Sequence, residues 1–192
     1  MDLTERTIES KTMFQGRIIT VLLDTAGLPD GGTAQREVVL HPGGVAVLAL
    51  DEADNVALVR QYRYPLHGLL LELPDGKLDP GEDHRPAALR ELSEETGLEA
   101  GELTYLGHIY ASPGFCDEAL HMYLARDLTR ARQHLDEDEF LDVETMPFDT
   151  LVEQVMSGED ITIADLSRVA DESYTDAGWM PTCGWMEDAL GS

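Results

Sequence analysis

The apolar and polar residues of the first half of the chain are arranged as in a series of β-strands. Residues 14–24 are rich in β-forming side chains, and after the turn residues Gly31 and Gly32 a partner strand over residues 35–40 predicts a hairpin. Residues 45–50 are apolar without interruption, which favours a strand covered on both faces. Further strands are predicted over residues 56–62 and 69–73.

The segment between Asp83 and Gly97 has the start and stop signals of a helix. Asp83 can cap the N-terminus, Pro86 is tolerated in the first turn, and Gly97 can end the helix in the left-handed conformation. Three more strands and a second helix are predicted after it, over residues 103–110, 119–125 and 140–144 for the strands and 148–156 for the helix. This interleaving of strands and helices predicts an α/β or α+β fold.

Charge and composition narrow the functional classes. The chain has 192 residues with 38 acidic and 13 basic side chains, a net charge of −25 that repels nucleic acid and anionic membranes. We expect one main domain, without a secretory signal or a membrane-spanning helix. The two cysteines, Cys116 and Cys183, have no CxxC spacing, which fits a protein of the reducing cytoplasm.

Three glutamates of the predicted helix lie on one face. Glu91, Glu94 and Glu95 stand at positions i, i+3 and i+4, where like charges repel, and Arg90 can neutralise only part of this charge. Leu89 and Leu92 lie on the adjacent face, which we expect to pack against a sheet. Carboxylate oxygens select Mg²⁺ or Mn²⁺, and Mg²⁺ commonly binds substrate phosphates as well. Taken alone, the three glutamates are better explained as a solvated helix face.

The wider spacing around these glutamates decides between the two interpretations. Residues 76–98 read as Gly76, five residues, Glu82, seven residues, and then Arg-Glu-Leu-Ser-Glu-Glu-Thr-Gly-Leu. Every specified position matches the Nudix box, so the chain resembles the Nudix hydrolase superfamily. The resemblance implies an α/β/α sandwich around a mixed sheet, and hydrolysis of a nucleoside diphosphate linked to another moiety.

The resemblance also implies roles for the box residues. Glu91 and Glu95 would be the principal metal ligands, Glu94 a further or water-mediated one, and Arg90 and Glu82 would orient them. In several relatives the backbone carbonyl before the box glycine binds metal as well, which points to Asp75. Those relatives usually have alanine in that position, so the carboxylate of Asp75 leaves the local metal geometry open.

Residues outside the box are similar to the ADP-ribose pyrophosphatase subfamily. Pro113 lies sixteen positions after Gly97, a spacing typical of that subfamily, although a proline turn between two strands would also explain it. The resemblance spans residues 14–158. It implies that Arg63 contacts the substrate diphosphate, since a planar bidentate donor suits phosphate oxygens. Arg36 would have a similar role, Pro113 would also belong to the substrate-binding residues, and Glu118 would position water or the terminal sugar.

The base that activates the attacking water is expected in the acidic loop of residues 136–139. Relatives place a glutamate on the corresponding loop, and Glu139 is our first choice because it adjoins the next predicted strand, with Glu137 second. A merely acidic surface loop is the alternative. Metal coordination lowers the pKa of water, so a carboxylate can serve as this base.

We therefore expect Mg²⁺-dependent hydrolysis of ADP-ribose, or a related nucleoside diphosphate sugar, to AMP and ribose 5-phosphate. The alternatives are a Nudix hydrolase for GDP-mannose, another nucleotide sugar or a dinucleotide, and, more distantly, a Nudix-fold ligand sensor without activity. The predicted organisation is an N-terminal β element over residues 1–40 for dimerisation and substrate binding, a Nudix domain over 41–170, and an acidic tail over 171–192. Subfamily resemblance implies a homodimer that acts on a small-molecule substrate.

Overall fold

The computed structural model describes residues 2–135 and 139–157. An antiparallel sheet of three strands comes first, followed by a seven-stranded sheet and two helices. The strands of the first sheet are β1 (Arg6–Gln15), β2 (Thr20–Gly27) and β3 (Thr33–Leu40). The elements of the rest are β4 (Gly44–Leu50), β5 (Asn55–Arg63), β6 (Gly68–Glu72), β7 (Asp75–Lys77), α1 (His84–Thr96), β8 (Leu98–Tyr110), β9 (Ala119–Arg130), β10 (Leu141–Pro147) and α2 (Phe148–Ser157).

The larger sheet is mixed and lies between the two helices. Its strand order is β10-β5-β4-β9-β8, with β6 paired to β5 and β7 paired to β4. The pair β4–β9 is parallel, whereas its other pairs are antiparallel. One face packs against α1 through Ala87, Ala88 and Leu92, and the other packs against α2 through Leu151 and Val155. The fold is the α/β/α sandwich with an N-terminal antiparallel β element that the sequence predicts.

Strand β4 forms the centre of the core. All seven of its residues are buried, which confirms the prediction of a strand covered on both faces. Side chains of a strand alternate between faces, so Val45 and Val47 join the cluster under α1 while Leu48 and Leu50 join the cluster under α2. The antiparallel pairing of β4 with β7 brings the short strand before the box onto this rigid support.

The predicted ends of α1 are confirmed. The Asp83 carboxylate accepts a hydrogen bond from the backbone N–H of Arg85 at 3.0 Å. Gly97 ends the helix with φ of 66°, a left-handed conformation that glycine adopts without steric cost. The box glutamates therefore stand on a helix with both ends defined.

The structure differs from the sequence-based expectations in three places. Residues 14–24 are not one strand, because a turn closed by a hydrogen bond from Gly16 N to Ile19 O separates β1 from β2. A strand that the sequence does not predict follows β6, because residues 75–77 pair with β4 as β7. Leu89 is 38% exposed and so does not belong to the buried core, whereas Ala88, one residue earlier, is fully buried in the cluster under α1.

Some predictions concern parts of the chain outside the described residues. These are the tail over residues 171–192, Cys183, and Glu137 in the acidic loop. Among the described residues, no helix is long and apolar enough to cross a membrane.

Candidate active site

The box helix and the short strand before it form one wall of a cleft of about 460 Å³. The cleft is strongly acidic, since seven carboxylates and three basic side chains line it among the described residues. The carboxylates belong to Asp75, Asp79, Glu91, Glu94, Glu95, Glu118 and Glu139, and the basic side chains to Arg63, Lys77 and Arg90. The structure thus brings all four predicted metal ligands and the preferred candidate base to one cavity.

Arg90 holds the acidic side chains of the box in place. Its guanidinium donates to both carboxylate oxygens of Glu82, at 3.0 and 2.8 Å. Its Nη1 donates to Glu91 at 2.7 Å and to Glu94 at 3.0 Å. Hydrogen bonding to Arg90 lowers the pKa of Glu82. Arg90 thus joins Glu82, Glu91 and Glu94 in one hydrogen-bonded group.

The box glycine makes room for a ligand carboxylate. A Cβ atom at residue 76 would lie 2.0 Å from Glu91 Cδ, far inside the contact distance of two carbon atoms. The Glu91 carboxylate therefore occupies the space that any side chain at residue 76 would need. This contact gives the first position of the box a steric reason that spacing alone does not supply.

Glu95 is the most deeply buried acid of the box. It is 1% exposed, and its Oε2 accepts a hydrogen bond from the backbone N–H of Asp75 at 2.9 Å. The pKa of Glu95 is raised to about 9, first by burial and then by the nearby charges of Asp75, Glu139 and Glu91, although the hydrogen bond from the Asp75 amide opposes the shift. This carboxylate is thus surrounded by negative charge and removed from water.

Glu91 and Asp75 show the same effect more weakly. Burial raises the pKa of Glu91 to about 7, although the adjacent Arg90 opposes the shift. Burial raises the pKa of Asp75 to about 6, although Arg63 opposes it. Carboxylates crowded in this way are stabilised in their charged form by a nearby cation.

The donor set of the cleft fits a hard divalent cation. Four carboxylates on α1 and β7 supply oxygen ligands of the type that Mg²⁺ and Mn²⁺ prefer. In the described part of the chain no three His, Cys, Asp or Glu side chains are already arranged to hold a metal ion. Glu91 and Glu94 are instead bonded to Arg90, and Glu95 to the Asp75 amide. Binding a cation would require these carboxylates to turn toward it.

Arg63 reaches the cleft from the end of β5 and is held by two carboxylates. Its Nε donates to Glu72 at 2.8 Å, and its Nη2 donates to Asp75 at 2.8 Å. The pKa of Arg63 is raised despite its burial, because the charges of Asp75 and Glu72 lie beside it. One edge of the guanidinium is therefore engaged by protein, and Nη1 makes no hydrogen bond to any described residue.

Two predicted substrate-binding residues lie elsewhere. Arg36 and Pro113 line a separate hollow of about 350 Å³, together with Phe115. The Arg36 guanidinium forms an ion pair with Glu5 at 2.7 Å. The loop carrying Pro113 is attached to β3 through a hydrogen bond from Val39 N to Phe115 O at 2.7 Å. The structure therefore brings Arg36 and Pro113 together, apart from the box carboxylates.

Glu118 and Glu139 lie on the acidic cleft itself. The Glu118 carboxylate is 3.3 Å from Nδ1 of His41, another residue that lines the cleft. Glu139 is close enough for its charge to contribute to the raised pKa of Glu91 and of Glu95. Of the two candidate bases, Glu139 is described at the cleft, and Glu137 lies outside the described residues.

Two cleft features were not predicted from the sequence. Glu72 is buried, at 5% exposure, and forms an ion pair with Arg63. The sequence feature that could have indicated Glu72 is its position as an acidic residue at the end of an apolar strand. Lys77 lines the cleft next to the box glycine. The sequence feature that could have indicated Lys77 is the rarity of lysine, since the chain contains only two lysines.

Comparison with known proteins agrees with this geometry. The model of the NUDIX domain matches residues 40–166. The chain belongs to the Nudix family. The model of the nucleoside diphosphate sugar hydrolase N-terminal domain matches residues 5–39 of this Nudix hydrolase. Members of the family use divalent metal ions, in agreement with the carboxylates of the cleft.

Similar proteins cover most of this Nudix hydrolase. It is 42% identical to the Methanol dehydrogenase activator of Bacillus methanolicus over 79% of this chain and 83% of the relative. It is also 42% identical to the ADP-ribose pyrophosphatase of Bacillus subtilis, over 82% of this chain and 86% of that protein. A solved structure described as an ADP compounds hydrolase superposes with a TM-score of 0.75 at 25% identity, covering 88% of this chain and 92% of the other.

Proposed function

We propose that this Nudix hydrolase cleaves the diphosphate linkage of ADP-ribose, or of a related nucleoside diphosphate sugar, to give AMP and ribose 5-phosphate, with Mg²⁺ or Mn²⁺ as cofactor. The observation that carries the proposal is the acidic cleft, in which the box carboxylates lie beside Arg63. The similarity of the chain to an ADP-ribose pyrophosphatase supports the choice of substrate.

The residues of the cleft would have different roles in hydrolysis. Glu91, Glu94, Glu95 and the backbone carbonyl of Asp75 would hold the divalent cations, with Arg90 and Glu82 orienting the glutamates. When bound, the cations lower the pKa of the attacking water and stabilise the charge that develops on the phosphate. The protein itself supplies the base, which we assign to Glu139 with Glu137 as second choice, and a donor, Nη1 of Arg63, for the phosphate oxygens.

The rest of the substrate would contact residues outside the box. Glu118, which lines the cleft, would position water or the terminal sugar. Arg36 and Pro113 form the separate hollow, and we assign them to a more distant part of the substrate. Residues 1–40 would serve substrate binding together with dimerisation, and residues 41–170 would form the catalytic domain, with residues 171–192 as a tail.

A substrate panel tests the assignment of the substrate. ADP-ribose, GDP-mannose, NADH and diadenosine polyphosphates would each be incubated with the enzyme and Mg²⁺, and the products separated by chromatography. We expect the highest kcat/KM for ADP-ribose, with AMP and ribose 5-phosphate as products. Preferential hydrolysis of GDP-mannose or of a dinucleotide would reassign the substrate within the family, and the absence of any hydrolysis would favour a ligand sensor.

Charge-neutral variants test the ligand roles. Glu91→Gln and Glu95→Gln each remove one carboxylate charge at nearly constant volume. We expect kcat at saturating Mg²⁺ to fall by about a hundredfold or more, because lost electrostatic stabilisation of the transition state has costs of this order. Glu99→Gln, at an exposed position of β8, is the matched control. Turnover close to that of the unmodified enzyme in either box variant would reject the assignment.

We also propose that the enzyme is a homodimer in the cytoplasm. Strand β1 is exposed along its entire length, including Ile8 at 63%, Met13 at 55% and Phe14 at 56%. Apolar side chains clustered on one strand are a common feature of interfaces between subunits. Light scattering after gel filtration should give a mass near 42 kDa, about twice the 21.2 kDa of one chain. A mass of one chain at micromolar concentration would reject the dimer.

A further inference from the structure

Lys77 differs from the other basic residues of the cleft in having no acidic partner among residues 2–135 and 139–157. Arg90 is bonded to Glu82, Glu91 and Glu94, and Arg63 is bonded to Glu72 and Asp75. Lys77 forms no ion pair with any residue in the described ranges. Its ammonium group is thus the positive charge of the cleft to which no carboxylate of the described residues is bonded.

The backbone of Lys77 is fixed although its side chain is exposed. Lys77 pairs with Gly44 of the central strand β4, and the next residue, Leu78, donates to Gly43 O at 3.0 Å. The Lys77 carbonyl also lies 3.4 Å from Nη2 of Arg90. Only the flexible side chain therefore has to be ordered when a ligand binds, which limits the entropic cost.

The position of Lys77 in β7 places its side chain on the same face of the strand as Asp75. Alternate residues of a strand point to the same face, so Lys77 and Asp75 share one face of β7, and Gly76 between them faces Glu91 on the other. The Asp75 carboxylate is bonded to Arg63, and Lys77, Asp75 and Arg63 line the same cleft. Lys77 thus shares a strand face with the residue that holds the arginine assigned to the diphosphate.

We propose that Lys77 is a substrate-binding residue whose ammonium group contacts the phosphate oxygens of the diphosphate, as a second positive charge next to Arg63. The inference rests on the proposed function, because it needs an anionic diphosphate in the acidic cleft. Among the described residues that line this cleft, carboxylates outnumber basic side chains by seven to three, so a cation without a carboxylate partner in that set has a large effect on whether an anion can enter.

Steady-state kinetics of charge variants provide the first test. Lys77→Gln should raise KM for ADP-ribose by roughly tenfold with little change in kcat, because a charged hydrogen bond made equally in ground and transition states contributes to binding alone. Lys77→Arg keeps the charge and should recover most of the affinity. Arg126→Gln is the matched control, since Arg126 pairs with Asp54 at 3.6 Å and does not line the cleft.

Chemical labelling gives a readout that does not depend on turnover. The chain has two lysines, Lys77 and Lys11, and Lys11 lies on the exposed strand β1. Reductive methylation followed by mass spectrometry would measure both, with and without the methylene-bridged analogue of ADP-ribose at saturating Mg²⁺. We expect the analogue to protect Lys77 severalfold more than Lys11.

The outcomes separate the two proposals. An unchanged KM in Lys77→Gln, or equal protection of the two lysines by the analogue, overturns the role of Lys77. Normal turnover of ADP-ribose in the unmodified enzyme then leaves the proposed function intact. If another compound of the substrate panel is the one hydrolysed, the same comparisons are made with that compound. No hydrolysis of any of them overturns both proposals together.

Discussion

At the scale of single residues, the site depends on close contacts between side chains of α1 and the backbone of β7. The Glu91 carboxylate rests against Gly76, and Glu95 accepts a hydrogen bond from the Asp75 amide, so the box helix and β7 are joined by their functional groups. Small changes on β7 are therefore transmitted directly to the ligands on α1.

Gly76→Ala should abolish most of the activity without unfolding the protein. The added methyl group would lie 2.0 Å from Glu91 Cδ and force that side chain away from its position. A displacement of a functional group by about 1 Å lowers the rate by about a hundredfold, so we expect kcat to fall by a factor of that order. Kinetics and circular dichroism would check the prediction. Gly68→Ala is the control, since a Cβ there meets only the Leu66 carbonyl oxygen at 3.8 Å, an ordinary contact. Equal losses in both variants would contradict the prediction.

Asp75→Ala should tighten the binding of substrate. The change frees Nη2 of Arg63, which now donates to Asp75, and leaves the backbone carbonyl of residue 75 in place. We expect KM for ADP-ribose to fall by about threefold to tenfold, corresponding to roughly 1 kcal/mol for a partly exposed charge pair.

Asp79→Ala is the control for the Asp75 variant. Asp79 lines the same cleft, and its replacement by alanine removes the same charge. Arg63 is bonded to Glu72 and Asp75 and not to Asp79. An equal fall of KM in Asp79→Ala would mean that total charge, and not the release of Arg63, governs affinity. A rise of KM in Asp75→Ala would mean that the Asp75 carboxylate itself supports binding.

At the scale of secondary structure, α1 combines a packed face and a functional face on one short helix. Ala87, Ala88 and Leu92 are fully buried against the sheet, whereas Glu91 and Glu94 face the cleft. The helix is held in this orientation by its two caps, by its packing on β4 and by the contacts of Arg90. Loss of a cap should therefore affect stability more than chemistry.

Asp83→Ala should lower the free energy of unfolding by about 1 kcal/mol, the usual cost of losing an N-cap side chain. The variant leaves the backbone N–H of Arg85 without its carboxylate acceptor. Urea denaturation monitored by circular dichroism would measure the change. Asp83→Asn retains a capping oxygen and should lose only a small part of this stability. A loss in Asp83→Asn as large as in Asp83→Ala would contradict capping as the cause.

At the scale of the whole molecule, net charge and the acidic cleft act together. The chain carries a net charge of −25, so its carboxylates repel one another in the folded state. The repulsion is concentrated at the cleft, where burial raises the pKa of Glu95 to about 9. A cation bound there relieves this repulsion only when the protein is folded.

Mg²⁺ should therefore stabilise the folded enzyme. Binding to the native state alone adds about 2.7 kcal/mol when the free cation is at a hundred times its Kd. Thermal unfolding would be followed in MgCl₂ and in EDTA with NaCl at matched ionic strength, to separate specific binding from screening. Glu91→Gln and Glu95→Gln should reduce the rise in Tm. A rise of equal size in NaCl, or an undiminished rise in the two variants, would contradict a specific site.

Much of this protein is determined by local sequence. The limits of α1 follow from Asp83 and Gly97, the burial of β4 from its continuous apolar run, and the family from the spacing between Gly76 and the box glutamates. These features depend on residues close together in the chain, whose backbone preferences and periodicity act over a few positions. They were accessible without any knowledge of the tertiary structure.

Only the tertiary structure decided which charged groups pair with one another. Arg63 is bonded to Glu72 and Asp75, nine and twelve residues later, while Lys77 stays without an acidic partner among the described residues. An ion pair depends on the distance between two groups in space, and strand pairing sets that distance. The sequence by itself therefore determined the kind of reaction centre, and the folding of β5 and β7 around it decided which cations remain available to a substrate.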